Sequence, residues 1–272
     1  MVDMTALASE HLTALAREHL DEAGARAWLG VLRPAVLLRP AGPGEPAVAR
    51  LGGSPDLPPG ADRPRWPGEG RLRLVAEVDL AAVAAAGLDA GLRLASTGRL
   101  LAFCFDDPDG TGAIVDAADP GTAAGWRLLH LEGVGPALGA HAALAGVQVL
   151  TWPDSEHPVL EIAGVELPDA MEERLGELLD DAVGEDAVGH QLGGWARPVQ
   201  GAVEWEAAEA RLGAATWDEE HRREALRWRP LLQVDGGADS AWGDAGCLYW
   251  LARTDGTRPP EPSELGFTWQ TG

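Results

Sequence analysis

The feature that most constrains this chain is an order of elements that occurs twice. Leu51-Gly52-Gly53 opens the first copy and Leu192-Gly193-Gly194 the second. In each copy a loop follows, then a run ending Val-Asp (Val75 to Asp79; Leu231 to Asp235). An apolar run that begins at glycine comes next (Gly98 to Ala102; Gly246 to Trp250). One repeated tripeptide arises easily by chance, but the same order of further signals behind it points to a degenerate internal duplication. Two copies are too few for a solenoid, which needs three or more, so two pseudo-equivalent β units sharing one core are expected instead. The expected fold is α+β: a β-rich single domain with two pseudo-repeated antiparallel halves and a few peripheral helices. The halves are expected near 47–110 and 188–270, within a domain of 35–272 preceded by a helical segment over 1–34. A chain of 272 residues is long enough to bury a sizeable core.

Local signals fill in the rest. Leu12, Leu15 and Leu20 recur on one face and predict helix over 5–30, with Gly24 weakening or ending its first part. Ala35 to Leu38 reads as a strand between Pro34 and Pro40. The stretch SPDLPPGADRPRWPGEGR at 54–71 is too rich in proline and glycine for regular structure. Strands are expected at 72–80, 98–105, 126–132, 146–152 and 159–166, and a short helix at 81–90. Residues 169–183 form the clearest amphipathic helix, with Met171, Leu175, Leu178 and Leu179 as its apolar stripe.

The charge narrows the partners. There are 43 acidic residues against 21 basic ones, and every basic one is arginine, for a net charge of −22. Residues 1–140 hold 18 acids and 12 arginines, whereas 141–272 hold 25 and 9. Such a surface repels phosphate backbones and anionic membranes, so neither nucleic acid nor membrane is expected as a partner. A protein or peptide of basic character is. Two cysteines do not make a disulfide framework. The opening MVDMTALASEHL lacks a basic start and a long apolar run, so a cytoplasmic location with reduced thiols is expected.

LGGSPDLPPG, HQLGG, LLQVD and WGDAGCLYW, with the closing GFTWQ, resemble the YwqG-like family of bacterial proteins, a domain of unknown function. The resemblance spans roughly residues 35–270. It implies a single β-rich domain with pseudo-repeated halves and supplies no chemistry. Some relatives are encoded near secreted-toxin genes, which implies an antitoxin-like binding role. Trp195-Ala196 stands where members carry an aromatic and a proline.

The candidate site residues follow from the repeat. Gly52, Gly53 and Asp56 form the first glycine turn, and Trp66 lies in the irregular segment after it. His190 precedes the second turn. Gln233 and Asp235 end the second Val-Asp strand, and Trp242 and Asp244 lie in the turn before the next. A cleft between the halves, lined by these residues, would hold a basic protein or peptide. Two alternatives stand beside this binding role: a hydrolase using Asp235 and Asp244 as an acid–base pair, and a carrier of a small ligand. The seven histidines lack a metal-ligand spacing such as H-E-x-x-H, and there is no phosphate-binding glycine loop. No metal and no cofactor is expected. Of the eleven tryptophans, Trp66, Trp205 and Trp217 sit in polar or loop contexts and are expected to be exposed.

Overall fold

The computed structural model describes residues 4–107, 110, 112–132, 138, 142–183, 189–213, 218–236, 246–254 and 260–272. Helix α1 (Met4–His19) is followed by α2 (Glu22–Val31). Asp21 divides them, because its carboxylate accepts from the Gly24 N–H at 2.7 Å and caps α2. Gly24 therefore sits in the first turn of the second helix and does not end the first. The strands β1 (Arg33–Pro40) and β2 (Ala49–Leu51) come next. Within the proline-rich segment a two-stranded ribbon forms from β3 (Arg65–Trp66) and β4 (Gly70–Arg71), where no regular structure was expected. The chain continues through β5 (Arg73–Asp79), α3 (Leu80–Ala85), β6 (Arg99–Cys104), β7 (Trp126–Leu131) and β8 (Ala143–Thr151). Then come α4 (Pro158–Ala163), α5 (Asp169–Val183), β9 (His190–Gly193), α6 (Val203–Leu212) and α7 (Glu219–Ala225). The chain closes with β10 (Trp228–Asp235), β11 (Cys247–Arg253) and β12 (Leu265–Gln270).

A strand was expected over 159–166, and α4 stands there instead. Its alternating Val-Leu-Glu-Ile pattern is overruled by its ends. His157 accepts from the Val159 N–H at 3.1 Å, Pro158 occupies the first helical turn, and Gly164 closes the helix in the left-handed region.

Ten strands form one antiparallel sheet in the order β12-β11-β10-β9-β1-β8-β2-β5-β6-β7. Read outward from the central β1–β8 pair, both sides repeat the same succession. Each has the glycine-turn strand (β9, β2), the Val-Asp strand (β10, β5), the glycine-initiated strand (β11, β6) and a last strand (β12, β7). The central strands are exchanged: β1 leads into β2 along the chain but pairs with β9, and β8 leads toward β9 but pairs with β2. The registers repeat as well. Arg50 opposes Glu77, as Gln191 opposes Gln233. Both Val-Asp strands carry an irregularity at the same place, between Leu74 and Ala76 and between Pro230 and Leu232. Bulges sharpen local twist and bend a strand, so the matched pair curls both wings alike.

That curl brings the two outer strands together. Trp126 on β7 stacks on Phe267 of β12 with ring centroids 5.7 Å apart. The enclosed core holds Val36, Leu74, Phe103, Leu192, Leu232 and Trp250. Strand alternation divides β11: Leu248, Trp250 and Ala252 face that core, while Cys247, Tyr249 and Leu251 pack outward with Val203 and Ala207 of α6. A separate apolar cluster joins α1, α2, α4 and α5 around Trp28, Leu12 and Met171. The α5 stripe is thus buried as its periodicity requires. Trp205 was expected to be exposed, but it is 8% exposed, packed with Ala208 and Ala225 between α6 and α7.

Candidate functional site

The paired glycine turns have a shared construction. Gly52, Gly53, Gly193 and Gly194 all have positive φ, between 59° and 82°, a region open to glycine at little cost. Each turn curls its carbonyls onto a side chain two residues upstream. Arg50 donates to the Gly52 and Ser54 carbonyls at 3.0 and 2.8 Å. Gln191 donates to the Gly193 and Trp195 carbonyls, both at 2.8 Å. In the first half the donor is charged and needs an anion. Glu77 supplies it, accepting from Arg50 at 2.9 and 2.5 Å and from Arg99 at 2.6 Å. Arg99 in turn donates to the Asp56 carbonyl at 3.1 Å. In the second half the equivalent of Glu77 is Gln233, whose amide accepts from the Arg197 N–H and donates to the Gly189 carbonyl.

The expected site residues therefore divide into separate groups. Gly52, Gly53 and Asp56 belong to the loop fastened by Arg50 and Arg99, with the Asp56 side chain 59% exposed. Trp66 meets Phe105 edge-on at 5.4 Å and lies over Gly125, where a Cβ would stand 2.8 Å from its ring. It is half-buried. His190, Gln233 and Asp235 cluster around Gly189: His190 Nδ1 accepts from the Asp235 N–H, and the Asp235 carboxylate accepts from the Gly189 N–H. Burial pushes the His190 pKa down. Three strands, β9, β1 and β8, lie between β10 and β2, so the sheet does not set these groups side by side. Trp242, Asp244 and Trp217 lie outside the described residues.

A cleft that the sequence reading missed opens between α5 and the ends of β8 and β9. It has a volume of about 230 Å3, and its walls include Trp152, Asp154, Glu172, Gln191, Trp195 and Arg197. Asp154 accepts from the Glu156 N–H at 3.0 Å, and burial raises the pKa of its carboxyl. No arginine or histidine among the described residues lies within ion-pair distance of Asp154, whereas Arg197 is matched by Asp180 at 2.9 Å. Trp195 is fixed at the back of the cleft. Its indole N–H donates to the Val31 carbonyl, and its backbone N–H donates to the Thr151 hydroxyl, both at 2.8 Å.

Behind Trp195 lies a buried polar cluster. The Arg33 guanidinium sits 3.2 Å above the Trp195 ring, and His157 meets the same ring at 4.6 Å. His157 Nε2 stands 3.9 Å from Glu204 Oε1, and each residue is 2% exposed. His157 Nε2, Glu204 Oε1 and Arg33 Nη1 have no hydrogen-bond partner among the described residues. Burial moves all three groups toward neutrality. The Glu204 carboxyl is pushed up to about 7 and the His157 imidazole down to about 3. Arg33, with Arg229 nearby, is pushed down to about 9.

The two opposite shifts give opposite pH slopes. Folded Glu204 holds a proton that the unfolded chain releases. Its contribution is full below pH about 4.5 and is lost as pH rises through about 7. Folded His157 refuses a proton that the unfolded chain takes, so stability is lost as pH falls from about 6.5 to about 3. Between pH about 4.5 and 6.5 the slopes oppose each other. Glu204→Gln is expected to leave stability rising with pH up to about 6.5, and His157→Gln to leave it falling from about 4.5 to 7. Urea midpoints at stepped pH read both slopes, and identical profiles for the two variants would contradict the assignment.

Among the described residues no group of three or more His, Cys, Asp or Glu is placed to hold a metal. No described helix is long and apolar enough to cross a membrane. The cleft gathers residues from β8, the loop after it, α5 and the segment after β9, so no short spacing announced it. No curated protein matches the chain. A family described as a domain of unknown function (DUF1963) matches residues 49–270, from the first residue of β2 to the last of β12. The chain belongs to that family.

Proposed function

We propose that this protein is a binding module that captures a cationic side chain of a protein or peptide partner in the cleft at Asp154. The observation that carries this reading is the Asp154 carboxylate in a cleft whose walls also include Glu172, Trp152 and Trp195, with no arginine or histidine among the described residues within ion-pair distance of it. Indole faces attract cations, and more strongly where water is excluded. The size of the cleft fits the same reading. About 230 Å3 is below the roughly 300–1,000 Å3 of most small-molecule sites, and suits one inserted side chain. A net charge of −22 would steer a basic partner and speed its encounter.

Within its family we read the chain as YwqG-like, on LGGSPDLPPG, LLQVD and GFTWQ, and an antitoxin-like role is one form this binding could take. A cytoplasmic setting agrees with two free, buried cysteines. The hydrolase alternative is less favoured because the Asp235 carboxylate is engaged by the Gly189 N–H. A carrier of a small apolar ligand is less favoured because Asp154, Glu172 and Gln191 line the cleft.

Calorimetric titration with acetyl-Ala-Ala-Arg-Ala-Ala-amide tests the proposal, with the glutamate-centred peptide as control. Binding is expected for the arginine peptide alone, weakening as salt is raised. Asp154→Asn is expected to reduce affinity about 30-fold, corresponding to ~2 kcal/mol. Equal affinity of wild type and Asp154→Asn, or equal binding of both peptides, would overturn it.

A further inference from the structure

Three buried polar atoms, Arg33 Nη1, His157 Nε2 and Glu204 Oε1, have no hydrogen-bond partner among the described residues and lie behind the wall of the cleft. Arg33 and His157 both pack on Trp195, the residue that also lines the cleft. His157 is the N-cap of α4 and Glu204 lies in the first turn of α6, so the cluster joins two helices to the start of β1. The tautomer of His157 follows from its bonding. Nδ1 accepts from the Val159 N–H, so Nε2 carries the proton of the neutral ring. That N–H faces Glu204 Oε1 at 3.9 Å, too far for a direct bond. Arg33 Nη1 is a further buried donor.

We propose that Arg33, His157 and Glu204 form an internal proton-binding site that is coupled to the cleft and gives up its proton when a cation enters there. This rests on the cleft reading above. The groups that bear on Glu204 come from every neighbouring element: His157 from α4, Arg33 from β1, Asp154 from the loop after β8, and Glu206 from its own helix. Arg229 on β10 acts through Arg33. Asp154 and Glu206 favour the protonated carboxyl, and Arg33 favours the carboxylate. Burial holds the balance near neutral pH. A cationic side chain beside Asp154 offsets one of the two negative charges that add to burial in keeping Glu204 protonated, and so tips the balance toward the carboxylate. The Glu204 O–H bond then breaks, the electron pair stays on the carboxylate, and the proton passes to the buffer. Binding at the cleft and proton uptake at Glu204 are thereby reciprocal, as linkage requires.

Calorimetry in buffers of different ionisation enthalpy counts the protons released as the arginine-centred peptide binds. At pH about 7 wild type is expected to release a substantial fraction of one proton and Glu204→Gln none, while both bind. Equal release by the two proteins, or no release by a wild type that binds, would overturn the coupling. Failure of wild type to bind the peptide at all would overturn the cleft reading and the coupling with it. The proton site itself is tested on free protein by difference potentiometry. Between pH about 8 and 6, wild type is expected to take up about 0.8 of a proton more than Glu204→Gln, and Asp154→Asn to take up that proton at lower pH. Circular dichroism checks that the variants are folded. No difference between wild type and a folded Glu204→Gln would remove the site.

Discussion

Glu77→Ala is expected to destabilise the protein by about 3–5 kcal/mol, the range for removing one partner of a buried ion pair. Glu77 is 1% exposed and Arg99 7% exposed. The carboxylate accepts from both Arg50 and Arg99; without it Arg50 loses its carboxylate partner and Arg99 is left with the more exposed Asp56 carboxylate at 3.8 Å. The damage would also reach the loop, since the same two arginines hold the carbonyls of Gly52, Ser54 and Asp56. The second half shows how the position can be neutral, because Gln191 and Gln233 replace the Arg50–Glu77 pair there. Arg50→Gln combined with Glu77→Gln is therefore expected to be more stable than Glu77→Gln alone. Denaturant unfolding followed by circular dichroism reads all three. A loss below about 1 kcal/mol for Glu77→Ala would mean that the triad is no more than a surface ion pair.

Gly193→Ala is expected to cost about 2–5 kcal/mol, and Gly52→Ala only about 1–2 kcal/mol. Both glycines have positive φ, 72° and 59°, so both substitutions bear the strain of left-handed backbone. Only Gly193 adds a collision. A Cβ there would stand 1.8 Å from the Ala90 carbonyl oxygen and 2.6 Å from its carbon, and backbone cannot swing aside as a long side chain can. At Gly52 nothing lies within 4 Å. Thermal melts of the two variants separate conformational strain from close packing. Equal losses would show that packing against Ala90 contributes nothing.

The repeated Leu-Gly-Gly was legible as a sign of duplication, and the sheet order and matched registers show two pseudo-repeated halves. Its purpose was not legible. The tripeptide says that two positions accept positive φ. It does not say that Arg50 in one half and Gln191 in the other receive the turned carbonyls. The short helix α4 was hidden because Val159, Leu160 and Ile162 mimic strand alternation. The decisive signals were the flanking His157-Pro158 and Gly164. Trp205 lies between two glutamates and reads as exposed, but its neighbours Ala202 and Ala208 are small enough for α6 and α7 to close over it. The cleft was the least legible part. Trp152 and Asp154 sit next to each other in sequence, but Glu172 and Trp195 reach them only through the packing of α5 and the turn after β9. Likewise, Glu204 meets His157 and Arg33 across 47 and 171 positions of chain.

Nuclear magnetic resonance of 15N-labelled protein titrated with the arginine-centred peptide tests the central claim most directly, through the indole N–H signals assigned by single Trp→Phe substitutions. The cleft account predicts that the Trp152 signal shifts progressively with peptide, that Trp195 follows it, and that Trp66 stays in place. A shift at Trp66 with Trp152 and Trp195 unmoved would contradict it and place recognition on the loop that follows the first glycine turn.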